Sequence, residues 1–424
     1  MAYLPETLSR QGRLSPRIVA ILALAATIIS LSMGLRQSLG LFLPPLNAEL
    51  AISASAFGLA MALQNIVWGV AQPIVGMFGD RYGARPILIA SAAIYALGLT
   101  LMASTGTRLG LDGGLGVMVG LGISGTSYGV LIGSVSRLVP AERRSQAVGL
   151  VSAAGSVATL GLAPLGQILI ASFGWSIALF VFAGFACSIA ALAVFIGREG
   201  SAGATAEESD AATHPSMAKA LRSAAGHPGF VAMTIAFFAC GFQLAFITTH
   251  LAQFLAICGI ASNISAAAIG VIGISNAVGS YVFGVLGSRY SPKRLLAAIY
   301  LLRTISIILF TTSPVTPFST IVFAAAMGFL WLGVIPLVSG LVGKLFGLHY
   351  FNTLFGVAFF SHQVGGFLGA WLGGVVFDLT GSYARAWLSM VVVGLTAAAI
   401  QWFMDDRARP IDRVSGALPV PASA

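Results

Sequence analysis

The chain has 424 residues, of which 57% are hydrophobic and only 8% charged. Soluble chains carry roughly 25% charged residues, so most of this one cannot face water; a soluble enzyme, a nucleic-acid reader and a disordered scaffold are excluded. The 22 basic residues outnumber the 13 acidic ones, and they cluster between apolar runs, which suits an anionic inner leaflet better than a phosphate backbone.

A helix needs about 20 residues to cross a ~30 Å hydrocarbon core. Twelve runs meet that length, near 17–46, 54–78, 85–105, 108–138, 143–172, 174–197, 229–258, 263–287, 293–313, 317–344, 350–377 and 383–404. They lack the two-residue alternation of a β-barrel. The first run is too long for a cleavable signal peptide, and no clear small-residue cleavage site follows it. Gly110–Gly125 offers dinucleotide-like glycine spacings but follows no strand, so close helix packing explains it better. Cys187, Cys240 and Cys258 all sit in apolar stretches and read as inert packing thiols.

With the N-terminus inside, eighteen of the 22 Lys and Arg residues fall on the inner side. Only Arg108 and Arg385 fall outside, while Arg36 and Arg303 lie within spans. The bias predicts cytoplasmic termini, in a bacterial inner membrane. The one long hydrophilic stretch, 198–228, separates spans six and seven. It reads as a cytoplasmic linker between a bundle over 1–197 and a second over 229–424, and Ser216–Ala225 within it could form an amphipathic helix on the membrane.

The two halves repeat at an offset of 207–208 residues. Gly79-Asp80-Arg81-Tyr82 matches Gly287-Ser288-Arg289-Tyr290, Arg137 matches Lys344, and Gly149, Gly166 and Gly174 match Gly356, Gly373 and Gly381. The predicted fold is therefore an all-α membrane protein, with twelve transmembrane helices in two pseudo-symmetric six-helix bundles. A parallel repeat places a cavity between bundles that can open to either side by rocking.

The run from Gly76 through Gly79-Asp80-Arg81-Tyr82-Gly83-Ala84-Arg85-Pro86 resembles the G-x-x-x-D-R-x-G-R-R loop motif of the major facilitator superfamily. That resemblance implies a conformational latch at Gly79, Asp80, Arg81 and Arg85. Within the superfamily, Met33–Phe42, Thr249-His250-Leu251 and Phe377-Asp378-Leu379-Thr380-Gly381-Ser382-Tyr383 are similar to the monocarboxylate transporter and oxalate–formate antiporter branch. The sequence departs from that branch twice. The acidic-Gly-Trp opening of span one is missing, and Ser280 stands nearest to the expected span-eight arginine.

Arg36 is the leading substrate-binding candidate. A mid-helix charge costs roughly 2.5–3.5 kcal/mol on insertion scales, and no Asp or Glu lies mid-span to neutralise it. A guanidinium fork matches a carboxylate bidentately; the opposing reading is snorkelling to the outer headgroups. Arg303, at the centre of span nine, either reaches inward beside Ser280 or bonds buried carbonyls. Tyr128, Gln243, Asn276 and Trp331 are further candidates on cavity-type helices, each also readable as packing, as is Asn65. His362 is the candidate proton site, with Asp112 an outer alternative, because histidine titrates near neutral pH. No P-loop, metal-ligand cluster or nucleophile–base pair is present, so neither enzyme chemistry, metal nor cofactor is expected. The expectation is a monomeric secondary carrier for a small organic anion, a mono- or dicarboxylate, moved with protons or against a counter-anion in contact with membrane lipid. The alternative is a drug or metabolite efflux antiporter of the same fold.

Overall fold

The computed structural model describes residues 16–127, 131, 157–196, 217–346 and 351–407, apart from some side chains within helices. In chain order the helices are α1 (Pro16–Ser38), α2 (Leu43–Leu50), α3 (Ala54–Tyr82), α4 (Ala84–Thr105), α5 (Val119–Thr126), α6 (Val157–Ala193), α7 (Met217–Ala225) and α8 (Pro228–Ile257). They continue as α9 (Ser262–Arg289), α10 (Pro292–Thr312), α11 (Pro317–Phe329), α12 (Val334–Phe346), α13 (Phe351–Thr380) and α14 (Ala384–Phe403). A 3-10 turn, Leu39–Phe42, joins α1 to α2, and a π-helical stretch, Gly110–Met118, leads into α5.

Nine stretches among the described residues are long and apolar enough to cross a membrane. One of them, α6, folds back at Gly174, whose backbone is non-helical at φ 83°, and so contains two spans. Gly110–Thr126 and α13 complete the twelve. Gly381, the repeat partner of Gly174, also takes a positive φ, 67°. Both turns need the left-handed region that glycine enters without steric cost.

Among the described residues the apolar side chains form two large cores and a small cluster, Leu41, Ala163, Ala252, Ala266 and Ile269, that joins the halves. One large core is built from residues between Ile18 and Ile196, joined from the second half by buried Ala245 and Ala370 and by the partly buried Phe359, Phe367 and Trp371. The other spans Ala224 to Met404. The glycine-rich fourth span packs on α4, where a Cβ at Gly114 would stand 2.6 Å from the Gly98 carbonyl and one at Gly122 2.5 Å from the Tyr95 Cβ. Its glycines permit close helix approach and cradle no phosphate.

Where α1 ends, at what is here termed the distal end, the two halves touch through backbone. A Cβ on Gly40 would lie 2.0 Å from the Thr248 carbonyl, one on Gly58 2.4 Å from the Ala370 carbonyl, and one on Gly374 2.3 Å from the Ala54 carbonyl. The Asp378 carboxylate accepts from the Ala54 and Ser55 amides at 3.2 and 2.9 Å. It thereby caps the positive N-terminus of α3 from the opposite half. The other, basic end carries Lys293 and Lys344, whose ammonium groups lie 3.0 and 2.6 Å from the Asp406 carboxylate. The Lys344 bond above all holds that carboxyl below its ordinary range.

The distal seam supplies a stability test. Gly58→Val places side-chain atoms where the Ala370 backbone stands, and overpacking costs about 1–3 kcal/mol. Its melting temperature in detergent should fall by several degrees, whereas Gly184→Val, with nothing within 4 Å of its Cβ, should melt close to wild type. Equal melting of the two variants would mean that the seam is not tight.

Candidate cavity between the two halves

At mid-depth the halves enclose a cavity of about 70 Å³. The first half contributes Met33, Arg36 and Gln37 from α1, and Asn65 and Trp68 from α3. The second half supplies Phe237, Gly241, Leu244, Ala245 and Thr248 from α8, Trp331, Leu332 and Ile335 from the α11–α12 junction, and Phe359, His362 and Gly366 from α13. No Asp or Glu is among the described lining residues.

Arg36 is held in a fixed pose. Its Nη2 donates to Asn65 Oδ1, and the guanidinium carbon lies 5.1 Å from the centre of the Trp68 ring. Asn65 and Trp68 are three residues apart on α3 and so share a face. Asn65 Nδ2 donates to the Met61 carbonyl at 2.9 Å, which turns the amide oxygen toward the arginine. Gln363, fully buried on α13, donates to the Asn65 carbonyl at 3.0 Å. Hydrogen bonds thus run from the second half through α3 to the α1 guanidinium. Both named partners of Arg36 are neutral: an amide oxygen and an aromatic face stabilise a cation but leave its charge in place.

His362 closes another wall. It stacks on Phe359 at 5.5 Å, lies 4.9 Å from the Phe237 ring, and its Nδ1 is 3.1 Å from Gln363 Oε1. Arg36 and His362 therefore each contact the Asn65–Gln363 pair that bridges the halves.

Other candidates lie elsewhere. Arg303 is fully buried; its Nε donates to the Leu330 carbonyl at 2.9 Å and its Nη2 to the Leu330 and Trp331 carbonyls. Of the two sequence readings, the carbonyl one matches this geometry, and Ser280 instead donates to Asn276 at 3.3 Å. Asn276 accepts from the Leu332 amide, and Gln243 donates to the Met390 carbonyl on α14; neither side chain is in the lining. Asp112 pairs with Arg108 one helical turn away, outside the cavity. Trp331 is in the lining. Tyr128 lies outside the described residues, as do the side chains of Gly79, Asp80 and Arg81, which close α3; Arg85 is half-buried in the first turn of α4. His250 is enclosed between the Ala370 carbonyl at 2.7 Å and the Tyr383 hydroxyl at 3.1 Å, a packing role.

Sequence reasoning missed Trp68, Gln37 and Thr248, and read Asn65 more as packing than as contact. A polar–aromatic pair at i, i+3 in span two was the available signal, though nothing in one sequence shows that this face meets span one.

The profile of the Major Facilitator Superfamily matches residues 22–370. The chain belongs to this superfamily. It is a membrane transporter by that membership, in a family that is not an enzyme class. Monocarboxylate transporter 11 of Mus musculus is 35% identical over 155 residues, 37% of this transporter and 34% of that protein. The transporter therefore aligns with only about a third of that relative's length. The oxalate:formate antiporter of Oxalobacter formigenes is 22% identical over 377 residues, 88% of each chain. Among solved structures, a bacterial homolog of the human lysosomal transporter Spinster, inward-facing and unoccupied, superposes with a TM-score of 0.75. The match has 16% identity and covers 93% of this transporter and 99% of that chain. The transporter is thus related to monocarboxylate and oxalate:formate carriers and shares its fold with the Spinster homolog.

Proposed function

We propose that the transporter carries a small organic anion, a mono- or dicarboxylate, by alternating access, with a proton moving alongside it. The single observation behind this reading is the Arg36 guanidinium in the wall of a cavity between halves, oriented there by Asn65 and Trp68. A carboxylate entering there supplies a counter-charge, and two parallel N–H···O bonds fit the fork. The apolar wall of Leu244, Ala245 and Ile335 suits the organic body of such an anion. Relatives named for monocarboxylates and for oxalate and formate agree with it.

In this reading the basic end faces the cytoplasm of a bacterial cell and both termini lie there. Alternating access then requires the distal contacts at Gly58, Gly374 and Asp378 to part, while the halves rock about the cavity. The bundles are assigned to 1–197 and 229–424, joined by the linker 198–228.

Arg36→Ala should abolish uptake of labelled carboxylates into proteoliposomes while leaving expression and melting near wild type. Arg36→Lys keeps the charge but loses the fork; hydrogen bonds to charged groups are worth about 1.5–3 kcal/mol, so affinity should fall about tenfold or more. Asn65→Ala, which frees the guanidinium to reorient, should weaken affinity less than either. Wild-type uptake by the alanine variant would refute the anion site.

Moving a carboxylate inward against a negative-inside potential costs about 2.3 kcal/mol per charge per 100 mV. A co-transported proton cancels that charge and adds the proton gradient. Uptake should rise as external pH falls and collapse with a protonophore. His362→Gln should blunt the pH response if the cavity histidine carries the proton. The relative named as an antiporter favours a second reading, anion exchange. Uptake indifferent to pH and protonophore but stimulated by preloaded anion would select it.

A further inference from the structure

The junction between α11 and α12 is a helix break at membrane depth. Pro336 has no amide to donate to the Leu332 carbonyl and its ring crowds that position, so the chain opens over Leu330–Gly333 before α12 starts at Val334. Backbone groups released at such depth must find partners within the protein. Two side chains from other helices supply them. Arg303 on α10 donates to the Leu330 and Trp331 carbonyls, and Asn276 on α9 accepts from the Leu332 amide at 2.8 Å. The segment is also seated tightly on α9. A Cβ added to Gly279 would lie 1.8 Å from the Phe329 carbonyl, and one on Gly333 would lie 2.5 Å from the Phe283 ring.

The residues so held, Trp331 and Leu332, are cavity lining, whereas the two holding side chains are not. We propose that Asn276 and Arg303 are positioning residues: together they clamp the α11–α12 break and thereby fix the Trp331 wall of the cavity. The clamp explains why a cation is fully buried in α10. The Arg303 positive charge serves backbone carbonyl dipoles, and its planar fork spans two successive carbonyls as an ammonium would not. It bears on transport through the anion site proposed above, by setting how much room the apolar part of a substrate has.

Fluorine NMR of the full chain in lipid nanodiscs, with its six tryptophans replaced by 5-fluorotryptophan, tests the clamp directly. Trp331→Phe assigns the Trp331 resonance. Asn276→Ala removes the Leu332 acceptor, and Gly279→Ala pushes the break away from α9 without altering any polar group. Both should shift or broaden the Trp331 line while the Trp175 and Trp402 lines stay in place, certifying the fold. Arg303→Lys should disturb the same line. A wild-type Trp331 line in either Asn276→Ala or Gly279→Ala would overturn the proposal. The Trp331 line reports the clamp whether or not the cavity takes an anion, so failure of one reading is distinguishable from failure of the other.

Discussion

A guanidinium at hydrocarbon depth constrains everything around it. It cannot shed its charge, because an arginine stays protonated in proteins, and leaving it unsolvated costs several kcal/mol. Among the described residues two such groups stand out, and the transporter treats them differently. Arg303 is spent on backbone carbonyls within the second half. Arg36 is oriented by an amide oxygen and an indole face at the seam between halves, beside open space. The difference between a cation buried in one half and one at the cavity wall lies in what each faces, not in the residue type.

The seam follows from small residues. Glycines at 40, 58 and 374 let helices of opposite halves meet backbone to backbone, and such contacts depend on dispersion and on dipoles rather than on large side chains. Dispersion contacts are individually weak, which suits a surface that parts in the proposed rocking cycle. Nearer the cavity the contact becomes polar. Gln363 donates to the Asn65 backbone, and the Asn65 side chain accepts from Arg36, so hydrogen bonds connect the guanidinium to the opposite half.

The fold was legible because a run of about 20 apolar residues has one solution in a bilayer, and because the halves repeat. Gly174 and Gly381 were matched by sequence spacing alone, and both take a positive φ. Arg36 was legible as a charge in an apolar run. Trp68 was not, since an aromatic in such a run looks like packing until the opposite helix is known. Asn276 and Arg303 stood out as polar residues in spans, but their direction depends on a helix break some 30 to 60 residues away. Pro336 marks that break locally; the partners that satisfy it are set by tertiary packing.

The most direct measurement of the Arg36–carboxylate contact is a dipolar recoupling experiment in the solid state. The ¹⁵N-arginine-labelled transporter in lipid is saturated in turn with ¹³C-carboxylate formate, lactate and oxalate. A bidentate pair with N···O distances near 2.8 Å puts the carboxylate carbon within roughly 4 Å of guanidinium nitrogens. The predicted result is a strong ¹³C–¹⁵N coupling for at least one of these anions that disappears in Arg36→Lys. A bound carboxylate with no such coupling, or one whose coupling survives the lysine substitution, would contradict the account.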